Sequence, residues 1–497
     1  MAAARWKPLA GAFVLGVCTV GGFAPFEFFL LPLVTLAALL RLVERAAAPG
    51  TAFKLGFAFG LGFFLAGVSW VYVSLHDFGA MPAPLAAAVT LLFCAYLALY
   101  PALAASAAGR IRSDWLRRCV VFPGAWVLAE WVRGWLFTGF PWLGLGYSQA
   151  AESPLAGLAP LLGVHGVGLA LVASAGLALH VFAQGWRNPN WRPLAAAALL
   201  WVGAAALKAN TWTEPAGEPV RVSLLQGNVA QSIKWRPEQV AVTLALYQRM
   251  ILASSAQLVI LPETALPLFL QDVPPEFLQA VKAHAEAIGA DVLIGLPERS
   301  EGGYYNSVVS IGASPSQVYR KSHLVPFGEF IPLRPLLAPV VEAMAIPLTD
   351  FSRGALTQRP LAVAGQRVAV NICYEDVFGE EIIRQLPEAT LLVNVSNVAW
   401  FGDSIAPRQH LQIAQMRAIE TGRPMLRATN TGMTAVVAPT GRVTHVAPTF
   451  RNATVEAEVQ GHTGATPYVR FGNAPALGLA AVFLLAGFVR KTVRSRD

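Results

Sequence analysis

Eight apolar stretches constrain this chain more than any other feature. An α-helix rises about 1.5 Å per residue and the hydrocarbon core of a bilayer is roughly 30 Å thick, so one crossing takes about 20 apolar residues. Runs near that length lie at residues 9–26, 28–47, 54–75, 82–108, 119–136, 157–184, 193–209 and 473–490. The first is interrupted by Gly21, Gly22 and Pro25, and the seventh is short. Only 13% of the 497 residues are charged, against roughly 25% in an average soluble protein. So few charges cannot coat a soluble surface of this size, and a chain this apolar is not intrinsically disordered. The pattern predicts an integral membrane protein.

The net charge of +8 is unevenly placed. Residues 1–217 and 463–497 together carry 18 Lys and Arg against 8 Asp and Glu, a balance of +10, whereas residues 218–462 carry 19 against 21, a balance of −2. The basic excess belongs to the apolar part, so it speaks for topology and gives no support to a nucleic-acid partner. Arg5 and Lys7; Arg41, Arg45 and Lys54; Arg110, Arg112, Arg117 and Arg118; Arg187 and Arg192; and Arg490, Lys491, Arg494 and Arg496 fall in alternate loops, and the loops between them near 24–29, 74–83 and 137–156 carry no basic residue. The positive-inside rule then predicts cytoplasmic termini, seven spans over 1–217, an outer polar domain over 218–462, and a final span with a basic tail over 463–497. Arg5 and Lys7 before an apolar run resemble a signal peptide, but no small-residue cleavage site follows, so an uncleaved anchor is expected.

Within the spans, Glu130 and Arg133 are three apart on a helix and can satisfy each other near its outer end. Gly56, Gly60 and Gly67 have the small-residue spacing that lets helices approach closely. The aromatic, Gly-rich stretch 137–150 (FTGFPWLGLGYSQA) reads as an interfacial or re-entrant segment.

The polar block alternates strands and helices. Buried strands are expected at 220–226, 257–262, 291–296, 307–311, 367–373 and 390–395, with helices at 236–254, 275–288, 378–387 and 406–421, the last carrying Arg408, Arg417 and Glu420 on a polar face. Val-, Ile- and Leu-rich strands with helices between them predict a layered α/β domain. No phosphate-cradling glycine loop is present, and His323, His410 and His445 lack ligand spacing, so neither a cofactor nor a metal is expected. Cys18, Cys94 and Cys119 fall inside predicted spans, leaving Cys373 as the one cysteine of the outer domain. Structural cysteines in an oxidising compartment come in pairs, so an unpaired one is either inert core or chemically employed.

Its neighbourhood favours employment. Glu263 follows the apolar strand of ILPET, Lys321, His323 and Glu329 lie in the turn-rich YRKSHLVPFGE, and Cys373 ends the strand of VNICYED. Reactive groups of layered α/β sheets gather just past strand ends. A carboxylate, an ammonium and a thiol at three such ends provide a base, a charge stabiliser and a nucleophile.

These motifs, in this order, resemble the carbon–nitrogen hydrolase (nitrilase) superfamily, whose αββα sandwich carries a Glu–Lys–Cys triad. FTGFPWLGLGYSQ, QGNVAQSIKW, LPETALPLF, NVSNVAWFGDS and RATNTGMTAVV sharpen the match to the membrane-bound apolipoprotein N-acyltransferases of Gram-negative bacteria. The resemblance implies α/β plus membrane helices: a nitrilase-like αββα sandwich inserted before the last of about eight transmembrane helices. It implies Cys373 as nucleophile, Glu263 as general base and then acid, and Lys321 as oxyanion stabiliser. Glu329, Tyr374 (through its backbone N–H) and Glu375 are supporting residues, and Trp235 matches a position important for substrate. It further implies transfer of the sn-1 acyl chain of a phospholipid, with phosphatidylethanolamine the expected donor, to the N-terminal amine of a diacylated apolipoprotein. Inner-membrane placement with the catalytic domain in the periplasm, and a monomer, complete the expectation. Val398 departs from the family pattern, which has Asp there.

Lys321 beside the thiol is expected to favour its thiolate. Two apolar segments border the motif residues: 264–277 after Glu263, and 331–348, which holds only Arg334 and Glu342 as charges. Both are expected to dip into the bilayer and admit acyl chains, with Leu336, Leu337 and Val340 as lipid contacts. A membrane-anchored amidase acting on a small C–N substrate shares the triad and is distinguished by these apolar loops. A transporter with an accessory domain is disfavoured, because the spans offer almost no mid-membrane polar groups.

Overall fold

The computed structural model describes residues 6–184, 191–331 and 350–493. Its contacts divide the chain into two units: Met1–Tyr72, Pro82–Thr211 and Arg470–Asp497 form one, and Val73–Met81 with Trp212–Val469 form the other.

In the first unit, helices Lys7–Thr19, Leu31–Glu44, Pro49–Val68, Ala83–Gly109, Phe122–Arg133, Ala159–Gln184, Trp191–Lys208 and Ala474–Val493 lie on the eight apolar runs. Among the described residues, three segments are long and apolar enough to cross a membrane: Pro49–Val68, Ala83–Gly109 and Pro154–Ala183. The first helix stops at Thr19, short of the expected end at 26. One 3₁₀ turn over Val20–Gly22 follows, and Phe23 is extended. A Cβ on Gly22 would lie 2.2 Å from Pro32, so the chain turns where a larger residue could not pass.

Close packing follows the glycines. Cβ atoms on Gly56 and Gly60 would meet Pro101 O at 2.6 Å and Ala98 Cα at 2.8 Å, so helices Pro49–Val68 and Ala83–Gly109 touch backbone to backbone. On Gly67 a Cβ would meet Leu143 at 2.3 Å.

Within segment 137–150 the chain forms an irregular, largely buried plug. Trp142 through Gln149 are buried, whereas Phe137 is exposed. Glu130 and Arg133 build this plug: Glu130 Oε1 accepts from Trp126 Nε1 and Leu145 N, each at 3.0 Å, and Arg133 Nη1 donates to the carbonyls of Phe140 and Trp142, each at 2.6 Å. Backbone groups that have left helical geometry inside an apolar bundle need such partners.

The second unit is a two-sheet sandwich. One sheet has the order β13-β2-β3-β4-β5-β6, from Ala453–Val459 (β13), Val220–Gln226 (β2), Leu258–Ile260 (β3), Asp291–Ser300 (β4), Gly303–Gly312 (β5) and Val318–Arg320 (β6). The other has the order β12-β11-β10-β9-β8-β7, from Val443–Val446 (β12), Ala435–Val437 (β11), Met425–Thr429 (β10), Leu391–Ser396 (β9), Gln366–Ile372 (β8) and Leu361–Val363 (β7). A two-residue pair, β1 (Glu214–Pro215) with β14 (His462–Thr463), ties the ends of the domain. In each sheet the central strands are parallel, β2-β3-β4 and β8-β9-β10, and the outer ones antiparallel.

Side-chain alternation explains the layers. Val222, Leu224, Leu258 and Ile260 meet Val368, Val370, Val393 and Val395 in the inter-sheet core. Leu225, Val259 and Leu261 point the other way, with Tyr247, Ile251, Phe277 and Val281 of helices Pro237–Leu252 and Pro275–Ile288. Helix Ala406–Thr421 covers the second sheet through Leu411, Ala414 and Ala418. Central strands buried on both faces read as unbroken apolar runs, which is why they are legible in the sequence.

Three expectations change here. The helix expected at 378–387 is one turn, Gly379–Ile382, followed by the 3₁₀ turn Ile383–Gln385, because Gly379 and Pro387 bracket too short a stretch. Arg417 and Glu420 do not form an exposed face; both are buried and paired at 2.9 Å, leaving Arg408 exposed. Segment 264–277 is not a free apolar loop, since Ala265, Leu266, Val273 and Phe277 join the core. Segment 331–348, apart from Ile331, lies outside the described residues.

Candidate active site

The motif residues converge at strand ends. Glu263 follows β3, Lys321 follows β6, Cys373 follows β8 and Asn397 follows β9. Parallel strands deliver their C-terminal ends to one edge, where the chain leaves the ladder and side chains are free to gather. Cys373 sits at φ +52°, in the left-handed region, on a tight 3₁₀ turn, Cys373–Val377. A non-glycine residue held there signals a backbone constrained by its surroundings.

Lys321 is the hub. Its side chain is 1% exposed, and Nζ lies 3.3 Å from Glu263 Oε1 and 2.9 Å from Glu329 Oε2. Asn306 Nδ2 donates to both carboxylates, at 2.8 Å to Glu263 and 2.9 Å to Glu329. Two backbone N–H groups complete the set: Asn397 N to Glu263 Oε2 at 2.9 Å and Val325 N to Glu329 Oε2 at 2.8 Å.

The titration behaviour follows from these contacts. Burial opposes the charge on Glu263, but Lys321, Asn306 and Asn397 outweigh it and hold the carboxyl below its ordinary range. Burial likewise opposes the Lys321 ammonium, and Glu329 and Glu263 overcome it and raise its pKa. Cys373 moves against the expectation of a thiolate. Burial and the Glu263 charge push its thiol up, and the opposite pull of Lys321 does not compensate. The resting site therefore pairs an ionised carboxylate with a protonated thiol.

Glu375 joins the thiol's turn to the lysine's loop. Its Oε1 accepts from Ser322 N at 2.6 Å, Ser322 Oγ at 2.9 Å and His323 N at 3.0 Å; its Oε2 accepts from Ile372 N at 2.7 Å and Tyr319 Oη at 3.0 Å. Five donors satisfy a carboxylate completely, which makes Glu375 a brace. Tyr374 packs edge-on against His323 and Phe378, and His323 stacks on Phe378 at 3.7 Å with Nδ1 3.1 Å from Glu381. Trp235 is 54% exposed. Val398 is buried in the turn after Asn397, a setting that suits an apolar side chain. Leu336, Leu337 and Val340 lie outside the described residues.

Several site residues escaped the sequence reading. Asn306 lies within β5 and Asn397 just past β9, each a polar residue in or beside an apolar strand, a weak signal by itself. Lys234 is 2% exposed, and its Nζ lies 3.5 Å from the Glu263 carbonyl oxygen. Burial lowers its pKa to about 8, against the attraction of Glu263. The segment Val73–Met81 also belongs to this unit: Ser74 Oγ donates to Trp400 O at 2.7 Å, and the Phe78 and Trp400 rings meet edge-on at 6.1 Å.

A half-buried thiol beside an ionised carboxylate and an ammonium is equipped for acyl transfer: the carboxylate can take the thiol proton as sulfur attacks, and the ammonium can meet the charge that forms on a carbonyl oxygen.

Residues 15–177 match the apolipoprotein N-acyltransferase N-terminal domain, and residues 221–468 match the carbon-nitrogen hydrolase domain. The chain is 52% identical to an apolipoprotein N-acyltransferase of Nitrosomonas europaea, over 96% of each chain. It is 48% identical to one of Chromobacterium violaceum, over 96% of this chain and 93% of the relative. A carbon–nitrogen hydrolase superfamily protein of Xanthomonas campestris, known by crystal structure, is 19% identical and covers 52% of this chain and 97% of its own, with a TM-score of 0.38.

Proposed function

The chain belongs to the apolipoprotein N-acyltransferase family, and from that membership we propose that it acylates the N-terminal amine of diacylated apolipoproteins in a bacterial membrane, drawing the acyl chain from a phospholipid through a thioester on Cys373. The observation that carries the reading is the Lys321 ammonium held between the Glu263 and Glu329 carboxylates beside the Cys373 thiol.

The chemistry runs in two halves. Sulfur attacks the sn-1 ester carbonyl as Glu263 takes the thiol proton, and Lys321 with the Tyr374 backbone N–H meets the oxyanion. The C–O bond then breaks and Glu263 returns its proton to the lysophospholipid alkoxide, which leaves. In the second half the acceptor amine attacks the thioester, Glu263 accepts a proton from nitrogen, the C–S bond breaks and the proton passes to sulfur. A thioester is a sensible halfway species, formed from an ester and readily attacked by an amine. Because the resting thiol is protonated, proton transfer accompanies attack rather than preceding it. Charge that develops only in the tetrahedral state is met by groups already in place, so little reorganisation is needed.

Phosphatidylethanolamine is the proposed donor. Glu329 and Glu375 support the Lys321 loop, Trp235 contacts substrate from its exposed turn, and Leu336, Leu337 and Val340 contact the acyl chain. The charge distribution supports about eight spans with both termini cytoplasmic: residues 1–217 as the membrane domain, 218–462 as the periplasmic catalytic domain, and 463–497 as the last span and tail. The enzyme is proposed to act as a monomer in the inner membrane.

Intact-mass analysis of the full chain after incubation with phosphatidylethanolamine tests the reading. One hydroxylamine-labile acyl adduct is expected, absent in Cys373→Ala. No adduct, with ammonia released from small amides, points to an amidase and overturns it.

A further inference from the structure

Asp376 follows Glu375 directly, yet the two carboxylates of the Cys373–Val377 turn face different elements. Glu375 reaches the Lys321 loop, as above. Asp376 is fully buried on the other side, with Oδ1 2.6 Å from His410 Nε2 on helix Ala406–Thr421 and Oδ2 2.8 Å from Arg427 Nη1 on β10. The same Arg427 nitrogen donates to Asn394 Oδ1 on β9 at 2.7 Å. Ser396 Oγ donates to that oxygen too, at 2.7 Å, so the orientation of the Asn394 amide is fixed. Its Nδ2 then donates to Asn371 Oδ1 on β8 at 2.6 Å and to the carbonyl oxygen of Cys373 at 3.1 Å.

Asn394, Arg427, Asp376 and His410 thus form one hydrogen-bonded network around the Cys373 turn: Asn394 meets the Cys373 carbonyl from β9, Arg427 links it to Asp376 from β10, and His410 on the covering helix bonds both Asp376 and the Cys373 backbone. All four side chains are nearly or wholly buried. An all-apolar arrangement would stabilise this sheet at lower desolvation cost, since buried ion pairs contribute little net stability. What such a network does provide is a defined geometry, because each member is held by the next. The residue at its centre is the one that needs it: Cys373 is held at φ +52°, a conformation an L-residue leaves unless its carbonyl and the following turn are pinned.

We propose that Asn394, Arg427, Asp376 and His410 are positioning residues that hold the Cys373 turn in its left-handed conformation and so aim the thiol at Glu263 and Lys321. None of them is assigned contact with substrate. The proposal rests on the reading of Cys373 as nucleophile.

The experiment measures single-turnover thioester formation by the full chain in phosphatidylethanolamine-containing nanodiscs, comparing wild type with Asp376→Asn, Arg427→Lys and Asn394→Ala. Burst amplitude reports the fraction of correctly folded sites, and the rate constant reports alignment. The expected result is near-wild-type amplitude with a rate constant lower by about 100-fold, the scale of a misplacement near 1 Å. The KM for phospholipid is expected to be unchanged, and alkylation of Cys373 by iodoacetamide to shift toward the pH profile of an unassisted thiol. Asn394→Ala removes a neutral amide and leaves the Asp376–Arg427 pair intact, so it remains informative if the charged variants do not fold. A lower amplitude with the wild-type rate constant in Asn394→Ala would overturn the proposal in favour of a purely structural role. Absence of any Cys373 adduct in wild type would instead overturn the underlying reading.

Discussion

The Lys321 ammonium lies 2.9 Å from the Glu329 carboxylate, eight positions further along the same loop, and 3.3 Å from Glu263 on a different strand end. One cation therefore serves two carboxylates that also share the Asn306 amide. Lys321→Met leaves both acids buried without it, at a cost of about 3–5 kcal/mol. Its stabilisation of Glu263 belongs to the ionised carboxylate, so the variant is expected to lose more stability at pH 8 than at pH 5, where Glu263 can take up a proton. On the role proposed for Lys321, loss of this oxyanion partner lowers kcat by about 100- to 1000-fold. Denaturant titrations at the two pH values, with steady-state rates, check both; equal losses at pH 5 and 8 would contradict the shared-cation picture.

Lys234 acts with the opposite sign. Its pKa is lowered to about 8 by burial, so its charge costs stability below that pH, and the cost fades as pH rises toward its unfolded value near 10.4. Lys234→Met is expected to raise Tm at pH 7, with the gain shrinking between pH 8 and 10. Glu263 loses a nearby cation in the same variant, so its pKa rises and the acid limb of kcat/KM moves to higher pH. Thermal melts and a pH–rate profile report the two effects separately.

Glu375→Gln tests the brace between turn and loop. The glutamine replaces one acceptor oxygen with an NH₂ that faces N–H and O–H donors, leaving buried donors unmade at about 1–3 kcal/mol each. The expected outcome is a lower Tm together with slower acylation, because the Ser322–His323 backbone that carries Lys321 loses its anchor. A variant with a wild-type melting curve and full activity would remove Glu375 from the site.

The glycines of the membrane unit make a packing prediction. Gly60→Val drives a Cβ to within 2.8 Å of Ala98 Cα, and overpacking of this kind costs about 1–3 kcal/mol or more. A Cβ on Gly11 would meet no heavy atom within 4 Å, so Gly11→Ala is expected to be neutral or to stabilise its helix by up to about 1 kcal/mol. Thermal unfolding in one detergent compares the pair.

The parts of the site that were legible share a local signature. Glu263 and Cys373 each follow an apolar strand, and a charged or reactive residue at the end of such a run stands out, whereas Lys321 is marked by the turn-rich motif YRKSHLVPFGE around it. Asn306, Asn394 and Arg427 lie within strands and look like interruptions of an apolar pattern; their meaning depends on which strand lies alongside. Parallel pairing sets Asn371 opposite Asn394 and Asn394 opposite Arg427, although these residues are 23 and 33 positions apart. The short strands β6, β7 and β11, three residues each, have too few positions to show a period.

Charge had the same ambiguity. Arg417 and Glu420 three apart on a helix look like a solvated face, and the fold buries them because each neutralises the other. Glu130 and Arg133 look like a pair, and the fold also uses them to hold the irregular segment after their helix.

By itself the sequence determined the two-part character of this protein, since a 13% charge content and eight apolar runs leave no soluble alternative. It also determined the α/β core, because strands buried on both faces must be apolar throughout. Only the tertiary structure decided the protonation states of the site. A pKa depends on burial and on charges within a few ångströms, and the groups that set it for Glu263, Lys321 and Cys373 come from separate strand ends that meet only when the two sheets close.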